Sequence, residues 1–400
     1  MEYIKFSKFI DSVQYGYTAE TTSSLEGDAK YLRITDIVPY FVDKDKVPFC
    51  SISKEKKVKY LVKENDLLIA RTGATTGYNF VVPSDYPNYI FASYLVRFKY
   101  NKNKIYPKYL KYILKSQQWY GFVKNFIGGS AQPGMNPKTF GKFEFPYFEY
   151  NRQIKIANTL ERYDQQIAKN SKRIKILEQM AETLYKEWFV KFRFPGYKNA
   201  IFEIQNPRGW MLSSCEVEMR RPSTWKYDEL NNIAEFKRGK NITSTEMVEG
   251  EIPVISAGLE PSGYHNEANV FGKNLTVSSS GANAGYLSFH LNDVWAADCS
   301  YYQSDKNIWF VYNALNFLQP VISNMQVGSA QPHVYAKTIN KLSTIIPPDE
   351  LIDLYCDKVS PIYEQIKILS LANNNLVKQR DFLLPRLMSG KLNLEGKEIV

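Results

Sequence analysis

The sequence contains two related copies of one segment, and this internal repeat limits the possible folds more than any other feature. The run Gly-Ser-Ala-Gln-Pro occurs at 129–133 and again at 328–332, 199 positions later. A second match, between 73–78 and 281–286, is 208 positions apart. The offset differs between the matches, as loop insertions in diverged copies would produce. The chain is therefore predicted to be a tandem duplication of a unit of roughly 200 residues.

Each copy begins with a part that is rich in strand signals. β-Branched and aromatic residues bounded by glycine and proline favour β-strands. Strands are predicted at 31–37, 66–70 and 91–98 in the first copy and at 252–256, 275–277 and 308–311 in the second. Short helices are predicted at 107–116 and 313–325. Each first part is therefore predicted to be an α+β globule of ordinary domain size.

Each copy ends in a long helix with an apolar stripe. Spacings of 3 and 4 alternate from Ile156 to Trp188, and the stripe recurs from Val359 to Leu387. A heptad stripe of this length is typical of a coiled coil. The residues predicted to pair the helices are Leu160, Ile167, Ile174, Leu177, Leu184, Ile366, Leu369, Leu376 and Leu383. Packing of each stripe on its own globule is the open alternative.

A few residues interrupt these stripes. Asn170 and Asn373 occupy core positions, where a polar residue can fix the register of paired helices, and Arg380 is a further weak point. Pro361 follows Ser360, a pair that suits the start of a helix, so a short helix is predicted before it and a long one after it. Pro385 is expected to end or kink the long helix.

The charge balance favours an anionic partner. The 51 Lys and Arg residues exceed the 41 Asp and Glu residues by 10, and nucleic acid is the commonest partner of such a chain. A surplus that serves solubility alone is the alternative. The sequence has no apolar run of membrane-spanning length and no signal-peptide pattern at its start, so no membrane contact is expected. Four scattered cysteines without a CxxC pair, and only three histidines, argue against disulfides and metal sites and favour a cytoplasmic protein.

Small polar loops and basic clusters are the predicted DNA contacts. Glycine lets the backbone approach a phosphate, and hydroxyl and amide groups donate to it. Arginine can read guanine, and asparagine can read adenine. The predicted residues are Arg71, Thr72, Thr75, Thr76, Ser130, Gln132, Lys237, Arg238, Lys240, Ser279, Asn283, Ser329 and Gln331. The alternatives are an architectural role for the glycine-rich turns and the shared Gly-Ser-Ala-Gln-Pro runs, and a solvated face for the basic cluster.

Signatures of common enzymes are absent from the sequence. It contains no Walker A segment, no HExxH, no GxSxG and no Asp/Asn-Pro-Pro-aromatic site of an amino-methyltransferase. Pro347 and Pro348 are interpreted as the point where a strand passes into a helix. We therefore expect no catalytic residues and no bound metal in this chain.

Four elements together resemble the specificity subunit of Type I restriction–modification enzymes, namely 70–77, the Gly-Ser-Ala-Gln-Pro pair, 188–196 and 380–391. The resemblance covers nearly the whole chain. It implies an α+β fold with two similar target-recognition globules in a pseudo-two-fold arrangement, separated by two long antiparallel coiled-coil helices. The implied parts are recognition domains at 1–148 and 223–347, helical spacers at 149–192 and 348–400, and a linker at 193–222.

The resemblance also implies a function. It implies a non-catalytic subunit that reads a bipartite, asymmetric target in double-stranded DNA, one half for each globule. It implies assembly with two methyltransferase subunits and with restriction subunits, with S-adenosylmethionine bound by the partner and no cofactor on this chain. The second loop, 278–285, has no counterpart of Arg71, so the role of that arginine does not transfer to it. A self-contained DNA methyltransferase or nuclease, and a coiled-coil scaffold that binds no nucleic acid, are the alternatives.

Overall fold

The chain forms two compact units in a computed structural model. The structure describes residues 2–22, 27–127, 134–205, 219–325 and 332–392. The first unit comprises Met1–Asn170 with Ala372–Val400, and the second comprises Ser171–Leu371. Each unit therefore combines one α+β globule with a part of each of two long helices.

The globule of the first unit is built from short strands and helices. Its strands are β1 (Glu2–Lys5), β2 (Ile10–Tyr15), β3 (Ala29–Leu32), β4 (Phe49–Cys50), β5 (Leu67–Ala70), β6 (Asn79–Val81), β7 (Tyr89–Phe91), β8 (Leu95–Tyr100) and β9 (Glu144–Tyr147). Its helices are α1 (Ile34–Ile37), α2 (Lys54–Tyr60), α3 (Pro107–Ile113), α4 (Gln117–Ile127) and α5 (Pro137–Phe140), after which the long helix α6 (Tyr150–Tyr185) begins.

The globule of the second unit follows the end of α6 through a π-helical turn at Lys186–Val190. Its strands are β10 (Phe202–Gln205), β11 (Met219–Pro222), β12 (Lys226–Glu229), β13 (Lys237–Arg238), β14 (Ile252–Ile255), β15 (Gly263–His265), β16 (Asn274–Ser278), β17 (Leu287–His290), β18 (Trp295–Ala296), β19 (Cys299–Gln303) and β20 (Ser343–Ile346). Its helices are α7 (Ile308–Phe317), α8 (Gln319–Asn324), α9 (Ala336–Asn340) and the long α10 (Asp349–Met388).

The two globules share one sheet topology. The strand order β2-β8-β5-β6 of the first recurs as β13-β19-β16-β17 in the second, and β4-β3-β7 recurs as β15-β14-β18. In both, the middle strand of the three-stranded sheet is parallel to one neighbour, β3 to β7 and β14 to β18. The pair β1-β9 recurs as β12-β20. The predicted duplication is therefore confirmed, since independent folds would not share this mixed pattern.

Aromatic side chains fill the core of each unit. In the first unit Trp119 is fully buried and packs against Phe140 and Phe143, and in the second Trp309 stacks on Tyr363 with ring centroids 3.8 Å apart. Burying rings of this size supplies much of the apolar area that stabilises such a globule. The mixed α+β fold with long helices, which the sequence predicts, is confirmed.

Several local predictions are wrong. The run 91–98 is not one strand, because β7 ends at Phe91 and β8 begins at Leu95. The run 308–311 forms the start of α7, not a strand, because an apolar run of four residues has no period that separates a strand from a buried helix. The run 31–37 is a strand only to Leu32, and α1 begins at Ile34. Helix α10 passes through Pro361 without a break, so the predicted helix start there is wrong, and it ends at Met388, within one turn of Pro385. Pro361 is exposed, and a helix tolerates proline best where water can satisfy the freed carbonyl group.

The two long helices contact each other in the first unit. The Asn170 side-chain amide donates to the Asn373 carbonyl oxygen at 2.9 Å, and Arg380 donates to Asp164 at 2.9 Å. Residue numbers rise along α6 while those of its partners on α10 fall, so the two segments run antiparallel here. Both polar core positions named from the sequence thus pair with each other, as a register-fixing pair would.

The helical stripes also pack on the globules. In the first unit Leu160 is buried in one cluster with Tyr109 and Leu387, and in the second Ile366 shares a cluster with Trp309 while Leu184 packs against it. Helix pairing and packing on a globule, posed as alternatives from the sequence, therefore occur together. The residues predicted to pair the helices are buried (Leu160, Ile167, Ile366 and Leu369) or half-buried (Ile174, Leu177, Leu184, Leu376 and Leu383). Among the helices described, none has the length and apolar character to cross a membrane.

Candidate nucleic-acid interface

A tight turn with the same backbone geometry joins two strands of the four-stranded sheet in each globule. It links β5 to β6 in the first globule and β16 to β17 in the second. Gly73 and Gly77 have φ of 78° and 90°, and Gly281 and Gly285 have φ of 74° and 84°. These left-handed values favour glycine over any residue with a side chain. The glycines that the sequence match aligned are therefore required by the turn, as the architectural alternative proposed.

The two sequence motifs of the repeat meet at this turn. Thr72 forms a bridge with Gly134 in the first globule, and Ser280 forms the equivalent bridge with His333 in the second. In the first globule the Met135 amide donates to the Arg71 carbonyl at 2.9 Å. In the second, the Val334 amide donates to the Ser279 carbonyl at 3.0 Å. The segment that follows each Gly-Ser-Ala-Gln-Pro run is thereby fixed against the glycine turn. The sequence alone gave no sign of this contact.

The helices behind the turn hold it in place. The Trp119 indole N–H donates to the Gly77 carbonyl at 2.8 Å, and the Gln319 amide donates to the Gly285 carbonyl at 2.9 Å. A buried carbonyl needs such a donor, because leaving it unpaired would cost about 1–3 kcal/mol. The backbone of the turn is thus shared by both globules, and only the side chains it presents differ.

In the first globule the turn presents Arg71. This half-exposed guanidinium lies 5.1 Å from the ring centroid of Tyr15, and its Nε donates to the Ser93 carbonyl at 3.4 Å. Tyr15 itself is exposed at the end of β2. A guanidinium held beside an aromatic ring keeps its remaining N–H groups available for an acceptor. Arg71 and Tyr15 therefore form one exposed surface that can donate to, and stack against, a nucleotide.

The threonines of this turn fall into two groups. Thr72 and Thr75 are half-buried and remain at the surface. Thr76 is 3% exposed, and its hydroxyl donates to the Gly73 carbonyl at 2.7 Å. The Thr76 hydroxyl therefore closes the turn and is not presented at the surface, unlike the hydroxyl-bearing side chains of Thr72 and Thr75.

The second globule carries a cleft beside its turn. The cleft has a volume of about 800 Å³, and among the side chains that line it are Arg238, Ser279, Ser280, Asp298, His333, Tyr335 and Lys337. The rings of His333 and Tyr335 are parallel, with centroids 5.6 Å apart, and Tyr335 is exposed. The Ser280 hydroxyl donates to the Asp298 carboxylate. The cleft thus offers the cations of Arg238 and Lys337, two aromatic rings and the Asp298 carboxylate to a polar ligand.

The predicted residues of the second globule lie at or near this cleft. Arg238 lines it, and Lys237 and Lys240 beside it on the chain are exposed. Ser279 is 7% exposed at the cleft wall, so its side chain offers little surface to a ligand. Asn283 is half-buried and donates to the Ala257 carbonyl at 3.4 Å. Ser130, Gln132, Ser329 and Gln331 lie outside the described residues.

An arginine occurs at this surface in both globules, but on different elements. The Gly16 amide donates to Leu95 in the first globule, and the Gly239 amide donates to Cys299 in the second, so the residues before these glycines, Tyr15 and Arg238, occupy matching positions. The turn residue Arg71 corresponds in the same way to Ser279. The first globule thus places tyrosine on the strand and arginine on the turn, and the second places arginine on the strand and serine on the turn.

The described thiols are buried, and His290 is largely removed from water. Burial raises the pKa of Cys50 and Cys356 to about 11 and that of Cys299 to about 12, and it lowers the pKa of His290 to about 4. No group of three or more His, Cys, Asp or Glu side chains within the described ranges is placed to hold a metal ion. The chemistry this surface offers is hydrogen bonding, stacking and charge.

Comparison with known proteins identifies the family. The model of the Type I restriction modification DNA specificity domain matches twice, at residues 27–179 and 222–379. The chain belongs to this family. Both matches contain the glycine turn of one globule and the start of the helix that follows it, so the sequence-based resemblance to Type I specificity subunits is confirmed.

Individual specificity subunits are similar over most of the chain. The MjaIX specificity subunit of Methanocaldococcus jannaschii is 26% identical over 74% of this chain and 71% of its own length. The HindI specificity subunit of Haemophilus influenzae is 21% identical over 86% and 91%. The crystal structure of the Type I S subunit from M. genitalium superposes with a TM-score of 0.55 at 19% identity, covering 97% of this chain and 96% of that one. This last likeness shows a shared fold.

The chain is thus a Type I restriction–modification specificity subunit with two copies of the DNA specificity domain. Specificity subunits of this family are in general not catalytic. The residues of these surfaces that sequence reasoning missed are the exposed Tyr15, Tyr94 and Tyr335 and the half-buried His333. His333 directly follows the second Gly-Ser-Ala-Gln-Pro run, and that position was the one available signal.

Proposed function

We propose that this chain reads a bipartite, asymmetric target in double-stranded DNA, with one half read by each globule. The observation that carries this proposal is the common turn with exchanged side chains. A fixed backbone positions the reading surface in the same way twice, while Arg71 beside Tyr15 in one globule and Arg238 beside Ser279 in the other give it different donors. Different donors on one scaffold select different base edges.

The chain acts within a complex under this proposal. It docks two methyltransferase subunits and associates with restriction subunits, and the methyltransferase subunits bind S-adenosylmethionine while this chain binds no cofactor. Support comes from membership of the specificity family and from the long helices, which leave apolar side chains such as Ile176, Met180 and Ile368 exposed in the second unit. Co-expression with the host's methyltransferase subunit should give a stable complex, and failure to isolate one would contradict this part of the proposal.

Separate substitutions of Arg71 and Arg238 test whether each globule reads a different half of the DNA target. In the assembled methyltransferase, Arg71→Ala should weaken or relax one half of the methylated sequence, and Arg238→Ala should do so for the other half. The expected loss is about 1–3 kcal/mol for each, the value of one good contact to a base edge. Sequencing of methylated positions in cells that carry each variant measures this directly.

The control is Lys5→Ala, since Lys5 is an exposed cation on the two-stranded sheet β1-β9. It should leave the methylated sequence unchanged. The proposal is contradicted if both arginine variants alter the same half, or if both keep the parental pattern.

DNA binding by the complex should also weaken as the salt concentration rises, because phosphate contacts release counterions. Binding that does not change with salt concentration would favour a scaffold without a nucleic-acid role.

A further inference from the structure

The first unit contains a cavity lined by aromatic and polar side chains. The cavity lies between the globule and the last turns of α10, and its volume is about 450 Å³. It is lined by Tyr40, Tyr78, Asn79, Lys115, Tyr120 and Met388, among others. A volume of this size falls within the range of small-molecule sites. Nothing in the proposed reading of DNA uses these residues.

A buried ionic network forms one wall of the cavity. Asp164 accepts hydrogen bonds from Tyr40 at 2.9 Å, Tyr112 at 2.8 Å, Lys111 at 2.7 Å and Arg380 at 2.9 Å. This carboxylate is therefore saturated by two cations and two hydroxyl groups. The nearby Asp381 carboxylate is exposed and is bound by Arg380 at 2.8 Å.

Lys115 is a third cation beside this network, and it does not take part in the ion pairs of Asp164 and Asp381. Its ammonium lies 4.2 Å from the ring centroid of Tyr40, and within the described residues no carboxylate pairs with it. Burial and the neighbouring charge of Lys111 lower the pKa of Lys115 to about 8. Three cations thus face two carboxylates here, and the wall carries one positive charge in excess. Lys115 is half-buried, and a cation partly removed from water without a paired carboxylate favours the binding of an anion.

The cavity also holds an unused acceptor and aromatic faces. The Oδ1 of Asn79 has no hydrogen-bond partner among the described atoms, although the side chain is 2% exposed and its amide N–H groups donate to Gly77 and Leu114. The rings of Tyr78 and Tyr120 lie beside it, with centroids 5.6 Å apart. A ligand that satisfies this cavity needs a hydrogen-bond donor, a flat ring and an anionic group.

The fold does not require this arrangement, because in the second unit the corresponding helix position packs against the globule through aromatic rings. Tyr363 takes the place of Asp164 in the repeat, and it stacks on Trp309 and contacts Phe289. The segment that supplies Tyr40 is also longer in the first unit, since 16 residues separate β3 from β4 but seven separate β14 from β15. The excess charge is therefore a feature of one globule.

We propose that this cavity binds a nucleoside monophosphate. The base lies against Tyr78 and Tyr120 and its amino group donates to Asn79, while the phosphate pairs with Lys115. A ligand seated here contacts both the globule and α10, and it stabilises the first unit by mass action. The inference does not depend on which DNA sequence the globules read.

Calorimetric titration of the intact chain with AMP tests the proposal. Binding is expected, and Lys115→Met should weaken it at least tenfold. This variant removes a half-buried charge that no carboxylate pairs with in the described structure, so we expect it to fold and to be at least as stable as the parent. The matched control is Lys142→Met, because Lys142 is an exposed lysine of the same unit, and it should bind AMP as the parent does. Tyr120→Leu, which keeps an apolar side chain, gives an independent loss of affinity.

Adenosine and inorganic phosphate separate the two parts of the ligand. Each should bind at least tenfold more weakly than AMP if both parts are recognised. The proposal is overturned if AMP does not bind at millimolar concentration, if Lys115→Met binds it as the parent does, or if phosphate alone binds as well as AMP. Because the titration contains no DNA or partner subunit, its failure is distinct from failure of DNA recognition.

Discussion

Asp164→Asn is expected to lower the free energy of unfolding of the first unit by about 3–5 kcal/mol, the usual result of removing one partner from a buried ionic network. The Asp164 carboxylate is the only acceptor in the described structure that Lys111 and Arg380 share, and both Tyr40 and Tyr112 donate to it as well. Asparagine keeps the shape but not the charge, so Lys111 loses its counterion and Arg380 keeps only the exposed Asp381. Denaturant unfolding of the intact chain, followed by a first-unit probe such as Trp119 fluorescence, measures the change.

Arg380→Met is expected to cost less than Asp164→Asn. The guanidinium is buried 3.9 Å from the ring centroid of Tyr40, and methionine can fill much of that space. Asp164 then keeps Lys111 and both tyrosines. Asp381→Asn is the control, because Asp381 is exposed and should change stability by less than about 0.5 kcal/mol. An Arg380→Met variant that is less stable than Asp164→Asn would show that the carboxylate is not the centre of the network.

The pH dependence of the same variant gives a second measurement. Burial alone would raise the pKa of Asp164, but Lys111, Arg380 and Tyr112 hold it below its ordinary value of 3.8. A folded-state pKa below the unfolded one means that the stabilisation is complete above the unfolded pKa and is lost as the pH falls through the folded pKa. The stability difference between the parent and Asp164→Asn should therefore shrink below roughly pH 4. A constant difference down to pH 2 would contradict this assignment.

The features predicted from the sequence are those that depend on local periodicity and on identity between the copies. The heptad stripes, the glycine turns and the polar core positions Asn170 and Asn373 all follow from spacing, and the structure shows that these two asparagines bond to each other. Spacing also marked Arg380 as a weak point, but it did not reveal the ion that pairs with it. That partner is Asp164, which lies 216 positions away, and Tyr40 completes the site from an insertion of the first copy.

The match between Tyr15 and Arg238 was missed for a related reason. Gly16 and Gly239 are 223 positions apart, whereas the motifs that revealed the repeat are 199 and 208 apart. The shared strand order and the hydrogen bonds of these glycines align the two strands. Contacts that join distant segments depend on loop lengths, which have no pattern in the sequence. The surface that we propose to read DNA is built from such contacts, so its scaffold was predictable and its composition was not.

Gly16→Ala is expected to destabilise the first unit by about 3 kcal/mol, since the strand has no room for a side chain at this position. An added Cβ would overlap the carbonyl oxygen of Ala92, which is backbone and cannot move aside. Gly121→Ala is the matched control, because Gly121 is within helix α4 with open space around its Cα, and alanine should stabilise the helix by about 0.5–1 kcal/mol. Denaturant unfolding of both variants gives the comparison.

The same substitution connects stability to recognition. Gly16 follows Tyr15, so any shift of the strand moves the ring that lies beside Arg71. In the assembled methyltransferase, Gly16→Ala should therefore weaken methylation through the half of the target that Arg71→Ala affects, and leave the other half intact. Gly239 faces the Ala297 carbonyl in the same way in the second globule, so Gly239→Ala should affect the half assigned to Arg238. If Gly16→Ala and Gly239→Ala changed the same half, the two globules would not read separate parts of the target.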